Sequence, residues 1–147
     1  MAVLDTEAFL DAVCLMIREG RHNVPVPIRG VSMRPFLRTG DFAYLAPLSE
    51  KIKKGDILLF QRENNQYVLH RVYKIRRDGT FLMLGDSQLQ PEPVTREQLR
   101  AKAAFVRCAG RDCRPGSFRW WFFACPWLRF APWRPQIAKL LALFRKR

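Results

Sequence analysis

The chain has 147 residues, which is enough for one domain with a buried core and leaves little room for a second domain. Its 26 lysines and arginines against 13 acids give a formal net charge of +13, so the surface favours anionic partners such as lipid, acidic peptide or nucleic acid. The four cysteines are scattered, without a CxxC pair, and only two histidines are present. This pattern argues against a zinc site and a dense disulfide framework, so we expect reduced thiols, no metal and no cofactor.

The first 22 residues are predicted to form an amphipathic helix. Its apolar positions fall on one helical side, and Gly20 is predicted to end it: Leu4, Phe9, Val13, Met16 and Ile17. The segment lacks a basic start, and it carries acids where a signal peptide is apolar. We therefore interpret it as an ordinary helix and not as a signal peptide.

Residues 23–110 are predicted to form a small antiparallel β-domain. Short apolar or alternating runs, separated by turn residues, are typical of strands: VPVPIR, DFAYLA, DILLFQ, YVLHRVYKI, TFLML and AAFV. The segments ENNQ and RRDGT contain the Asn, Asp and Gly that hairpin turns require. A short helix is expected to begin near Thr95, capped with help from Gln98. The predicted fold class is therefore mainly β.

One serine follows the first predicted strand in a distinctive setting. The segment reads Gly30-Val31-Ser32-Met33-Arg34-Pro35. By itself this pattern is typical of a capped turn. Further motifs follow it in order: RTGD at 38–41, KGDILLF at 54–60, VLHRV at 68–72 and LGD at 84–86.

This ordered series resembles the superfamily of serine peptidases that contains type I signal peptidases and the self-cleaving phage and SOS repressors. The resemblance covers about residues 24–108. It implies a signal-peptidase-like β-fold in which Ser32 is the nucleophile and a later lysine or histidine is the base. The base position here is His70, which is similar to the archaeal and endoplasmic-reticulum signal peptidases and unlike the lysine-dependent bacterial and repressor branches. Asp86 matches the acid of that branch.

Elementary chemistry agrees with these roles. A serine hydroxyl needs a base to remove its proton, and a neutral imidazole with a pKa near ~6.5 suits that task. A carboxylate on the other ring nitrogen would fix the tautomer, which is the role expected of Asp86. The histidine branch usually has a second aspartate after its Gly-Asp pair, and this chain does not. Glu92 is therefore an alternative acid, and an absent acid is a third interpretation.

Residues next to the serine are expected to contact substrate or to form the oxyanion hole: Gly30, Val31 and Met33. Many signal peptidases have a serine at the position of Gly30, whose hydroxyl joins the oxyanion hole. Here the backbone N–H of Ser32 would replace it, and loss of one donor costs roughly 3 kcal/mol in comparable enzymes, so slower turnover is expected. The Met33 side chain is expected to pack in the core beneath the serine.

Residues 111–147 are predicted to form a basic, aromatic tail. They contain all four tryptophans, five of the eleven phenylalanines and nine lysines and arginines against the single acid Asp112. Arginines and prolines interrupt the apolar stretch, which argues against a transmembrane span. The final segment PQIAKLLALFRKR is predicted to be an amphipathic helix that meets anionic lipid. The alternative is a helix folded back onto the β-domain.

These patterns predict a peripheral membrane protein on the cytoplasmic face, with export of the domain through a hairpin insertion as the alternative. Bunching of the aromatic residues with prolines argues against nucleic acid as a partner. The expected function is endopeptidase cleavage after a small residue, with a precursor peptide laid as a strand along a sheet edge. Two alternatives are a non-catalytic peptide-binding module of the same fold and a repressor-like self-cleaving regulator.

Overall fold

The computed structural model describes residues 6–145. Its α-helices are α1 (Thr6–Arg18), α2 (Phe118–Ala124), α3 (Pro126–Arg129) and α4 (Arg134–Arg145). Its strands are β1 (Val24–Pro27), β2 (Phe42–Ala46), β3 (Ile57–Gln61), β4 (Tyr67–Ile75), β5 (Phe81–Leu84), β6 (Glu92–Val94), β7 (Leu99–Cys108) and β8 (Arg111–Cys113). The first predicted helical positions, including Leu4, and the basic end at Lys146 and Arg147 lie outside the described residues.

One antiparallel sheet contains all eight strands of residues 6–145. The order is β1-β2-β7-β3-β4-β5-β6, and β8 pairs with β7. The two predicted hairpins join β3 to β4 and β4 to β5, and their turns place Asn65 and Gly79 at positive φ, 69° and 86°. The predicted mainly β fold with an N-terminal helix is confirmed.

The helix predicted to begin at Thr95 is only one 3-10 turn, Arg96–Gln98. The expected cap is present, since the Thr95 N–H donates to Gln98 Oε1 at 2.9 Å. From Leu99 the chain continues as β7, in which alternate side chains are buried. Pairing with β2 on one side and β3 on the other therefore overrides the local helix preference of this segment.

The two faces of the sheet have separate apolar cores. Alternation along β3 directs Ile57 and Leu59 into the larger core, which α1 covers, and Leu58 and Phe60 into a smaller core on the other face. α1 contributes its apolar side to the larger core: Val13, Cys14 and Ile17. Each such side chain stabilises the fold by about 1.5–3 kcal/mol through burial. The four cysteines carry free thiols, as the sequence predicted.

The sheet continues past the predicted boundary after residue 110, because β8 pairs with β7. α2 then buries Trp120 and Phe123 against Phe36, with ring centroids 5.8 and 5.1 Å apart. The first part of the tail is thus part of the domain. The rest of α4 is not covered by the domain, since every side chain from Gln136 to Arg145 is exposed. No helix between residues 6 and 145 is long and apolar enough to cross a bilayer.

Candidate active site

Ser32 lies in the loop that follows β1, here called the Ser32 loop (residues 29–37). Its side chain is half-buried. Gly30 has φ +81°, a backbone conformation that a serine would adopt only with strain. This geometry gives a physical reason why glycine, and not the serine of many signal peptidases, stands there. Met33 is buried in the larger core, as expected, whereas Val31 is exposed.

The Ser32 loop is held by the segment that follows β5. The Ser87 N–H donates to the Ser32 carbonyl at 3.0 Å, and Ser87 Oγ donates to the Val31 carbonyl at 2.8 Å. A Cβ added at Gly85 would lie 2.5 Å from the Ser32 carbonyl oxygen, so only glycine allows this approach. The segment with the Gly85-Asp86 motif therefore helps to hold the Ser32 backbone in place.

Ser32 and His70 are both among the residues that line a cavity of about 550 Å³. Apolar side chains from α1, β1, β2 and β3 form much of its wall: Phe9, Leu10, Val26, Leu45 and Leu59. No hydrogen bond joins the Ser32 and His70 side chains in the described chain, and catalytic hydrogen bonds are often long before substrate binds. Among the described residues, the backbone N–H of Ser32 has no hydrogen-bond acceptor.

His70 is almost fully buried, with 1% of its surface exposed, and its ring meets the edge of Phe60. Nδ1 has no hydrogen-bond partner, and Glu92 Oε1 lies 3.9 Å from it. Burial lowers the pKa of His70 to about 4, Glu92 acts against this, and the Arg62 charge adds to it. The imidazole is therefore neutral at neutral pH, as a general base must be.

Glu92 forms an ion pair with Arg62, which lines the cavity. Arg62 Nε donates to Glu92 Oε2 at 3.0 Å, and Arg62 Nη2 donates to Oε1 at 2.6 Å. This bidentate pair holds the carboxylate close to the His70 ring, but beyond hydrogen-bond distance from Nδ1. No sequence pattern indicated a role for Arg62.

The predicted hydrogen bond from His70 to Asp86 is absent. Both Asp86 carboxylate oxygens accept from Arg71, at 2.9 and 3.0 Å, and neither residue is exposed. The reason is strand alternation: His70 and Arg71 are adjacent on β4, so their side chains lie on opposite faces of the sheet. Asp86 lies on the Arg71 face. Burial raises the pKa of Asp86, and the Arg71 guanidinium opposes that rise.

Arg71 joins three parts of the site. Its Nη1 donates to the Gly55 carbonyl at 3.0 Å, and its guanidinium lies over the Phe36 ring, 4.9 Å from the centroid. Arg71 therefore connects β4 both to Asp86 and, through Phe36, to the Ser32 loop. One signal in the sequence could have shown this, because a strand arginine directly after His70 requires an acidic partner if it is buried.

Side chains of the tail also hydrogen-bond to the Ser32 loop and to the segment after β5, which sequence patterns did not indicate. Arg119 donates to the Phe36 carbonyl at 2.6 Å, and Trp127 Nε1 donates to the Asp86 carbonyl at 2.8 Å. Arg134 donates to the carbonyls of Gly85 and Gln88, at 3.0 and 3.1 Å. α2, α3 and the start of α4 therefore stabilise the loop conformation that presents Ser32.

We expect His70 in the folded protein to titrate near pH 4, against 6.5 for an ordinary histidine. The folded pKa is the lower one, so the unfolded chain binds the proton more tightly. The free energy of unfolding should therefore fall by about 3 kcal/mol as the pH drops from 6.5 towards 4. Imidazole NMR titration of the folded chain and of the chain in denaturant measures both pKa values.

Two variants test the electrostatic causes. Arg62→Gln removes a positive charge and should raise the pKa of His70, whereas Glu92→Gln removes a negative charge and should lower it. A His70 that titrates near 6.5 in the folded protein, or that responds to neither variant, would contradict the buried environment described above.

Comparison with known proteins gives one family. A family model described as Peptidase S24-like matches residues 1–106, which contain Ser32, His70, Asp86 and Glu92. No significant match to a curated protein or to a solved structure was found. In the described part of the chain, no group of three or more His, Cys, Asp or Glu side chains could hold a metal ion.

Proposed function

Because the chain belongs to the Peptidase S24-like family, we propose that it is a serine endopeptidase with Ser32 as nucleophile and His70 as base. One observation carries the proposal: Ser32 and a buried, neutral His70 line the same cavity. A base that is neutral from about pH 4 upward can accept the serine proton at physiological pH.

In the proposed reaction the Ser32 oxygen attacks the scissile carbonyl while His70 takes the hydroxyl proton. Collapse of the tetrahedral intermediate breaks the C–N bond, and His70 returns the proton to the leaving amine. Water, activated by His70 in the same way, then hydrolyses the acyl-enzyme. The free N–H of Ser32 would stabilise the oxyanion in both steps.

Glu92, and not Asp86, is the acid that suits this mechanism. It lies 3.9 Å from His70 Nδ1, the nitrogen without a partner, whereas both Asp86 oxygens are bound to Arg71. A small movement of Glu92 away from Arg62 would allow the Nδ1–H to donate to it, which leaves Nε2 for Ser32. Proton transfer to His70 would strengthen this contact, since the imidazolium attracts the carboxylate.

The sheet offers two open edges for a substrate strand. β4 pairs with β5 only from Arg71 onward, so the outer edge of its first half is unpaired in the described structure. The backbone N–H and C=O of Val72 hydrogen-bond to Asp56 and Gly55, directly before β3. Because these backbone groups alternate in direction along a strand, those of Tyr67 and Leu69 point to the unpaired edge. β1, which leads into the Ser32 loop, is an edge strand of the sheet. A peptide between these edges would pass the serine.

The finer proposal is removal of a leader or signal segment after a small residue, in the manner of the histidine-dependent signal peptidases that the motifs resemble. Support comes from His70 at the base position and from the apolar cavity beside Ser32. A second candidate is a non-catalytic peptide-binding module. The absence of a hydrogen bond at His70 Nδ1 favours it, because an active triad needs that contact.

Labelling by a fluorophosphonate separates the two candidates. The wild-type chain should form a covalent adduct at Ser32, and Ser32→Ala should form none. Ser49→Ala is the matched control, since Ser49 is half-buried and hydrogen-bonded to the Lys51 carbonyl outside the cavity, and it should label like wild type. A wild-type chain that does not label would favour the binding module.

A further inference from the structure

α4 is an amphipathic helix that the rest of the protein does not cover. From Gln136 to Arg145 every side chain is exposed, including five large apolar ones: Ile137 (40%), Leu140 (55%), Leu141 (60%), Leu143 (67%) and Phe144 (69%). A helix of 12 residues is marginally stable in water without tertiary packing. Its apolar side is therefore open to a partner.

The pattern on α4 indicates what that partner is. Helical spacing places Ile137, Leu140, Leu141 and Phe144 on one side. The charged residues of the described helix beyond its buried first residue are the cations Lys139 and Arg145, and the helix has no acid. Two copies of such a helix would bring like charges together, whereas an anionic surface would complement them.

Four exposed aromatic residues precede this helix in the sequence. Phe130 and Trp133, which directly precede α4, are 54% and 60% exposed. On α2, Phe118 and Trp121 are 76% and 51% exposed and lie together, with ring centroids 5.8 Å apart. Tryptophan and phenylalanine with basic neighbours are typical of segments that lie in the headgroup region of a bilayer.

We propose that α4 and these four aromatic residues form a docking surface for an anionic membrane. The apolar side of α4 enters the boundary between headgroups and acyl chains, and Lys139 and Arg145 bind lipid phosphates. Charge selects this occupant, because residues 111–147 carry nine lysines and arginines against one acid.

The docking surface is connected to the cavity through Arg134. Arg134, the first residue of α4, is buried and donates to the carbonyls of Gly85 and Gln88. Gly85 touches the Ser32 loop, and Gln88 lines the cavity. A membrane-bound α4 therefore holds the cavity close to the lipid surface, where it can receive peptides that lie on or emerge from the bilayer. Binding itself does not depend on the proposed catalysis.

Flotation of the full chain with vesicles tests the proposal. The wild type should bind vesicles of phosphatidylcholine with phosphatidylglycerol, and it should bind pure phosphatidylcholine much less. The double variant Leu140→Gln and Phe144→Gln should lose affinity on the order of tenfold or more, because it removes apolar burial. Lys139→Gln with Arg145→Gln should weaken binding only where phosphatidylglycerol is present.

The matched control replaces exposed apolar residues elsewhere, Leu15→Gln and Ile75→Gln, which are 53% and 43% exposed in the wild type. This control should bind like wild type, and circular dichroism should show that all variants keep the fold. The proposal would be overturned if the wild-type chain does not float, or if the Leu140→Gln and Phe144→Gln double variant floats as well as wild type. So would lipid-free self-association in sedimentation that the α4 variant abolishes, since it would assign α4 to a second copy.

Discussion

Replacing Ser32 by alanine is expected to abolish peptide cleavage, and replacing His70 by alanine should lower kcat/KM by about 10⁴-fold or more. The reason is that nucleophile and base act as a unit: an unactivated hydroxyl attacks poorly, and a base without a nucleophile has nothing to activate. The double variant should accordingly be no worse than Ser32→Ala alone. The measurement is kcat/KM on a peptide with a small residue before the scissile bond.

Ser49→Ala is again the control, and it should cleave at the wild-type rate. Cleavage by Ser32→Ala or His70→Ala at that rate would show that the catalytic assignment is wrong. Loss of activity in both variants with unchanged thermal stability would separate a chemical role from a structural one.

Breaking the buried ion pair should have the largest effect on stability. We expect Arg71→Met to lower the free energy of unfolding by about 3–5 kcal/mol, because it leaves the Asp86 carboxylate buried without its partner. Asp86→Leu should cost a similar amount. The double variant should recover much of the loss, since an apolar pair of similar size leaves no charge unpaired. Urea denaturation measures all three.

The exposed pair of Arg107 and Asp112 provides a matched control of the same chemistry. Its Nε to Oδ1 distance is 2.7 Å, yet Arg107→Met should leave the free energy of unfolding nearly unchanged, because water solvates both partners. A double variant at Arg71 and Asp86 as unstable as the single variants would contradict the ion-pair explanation. It would indicate that Phe36 and Gly55 contacts of Arg71 carry the stability instead.

Local patterns were sufficient for most of the fold. Strand alternation, turn residues and the amphipathic N-terminal segment predicted the β-domain and α1. The motif order predicted that Ser32 and His70 belong to one site; both residues line one cavity, and their catalytic roles stay a prediction. These features are readable because each depends on neighbouring residues, or on motifs whose order a family preserves.

The different contacts of Asp86 and Glu92 depended on tertiary structure. Asp86 follows β5 and Glu92 begins β6, a few residues later in the sequence. Nothing in the local sequence shows which of the two acids lies beside His70. Pairing of β4 with β3 and β5 directs His70 to one face and Arg71 to the other, so Asp86 meets Arg71 while Glu92 lies beside His70. Which face each side chain occupies is a property of the assembled sheet.

The tail likewise has properties that its sequence shows and contacts that only tertiary structure decides. Composition alone identified a basic, aromatic segment, because that property is a sum over residues. It could not show that Trp120, Trp127 and Arg134 pack on the Ser32 and Gly85 loops whereas α4 stays exposed. An aromatic or basic side chain suits a core, a loop carbonyl or a lipid surface equally well, and only long-range packing against residues far away in the chain decides which of these it meets.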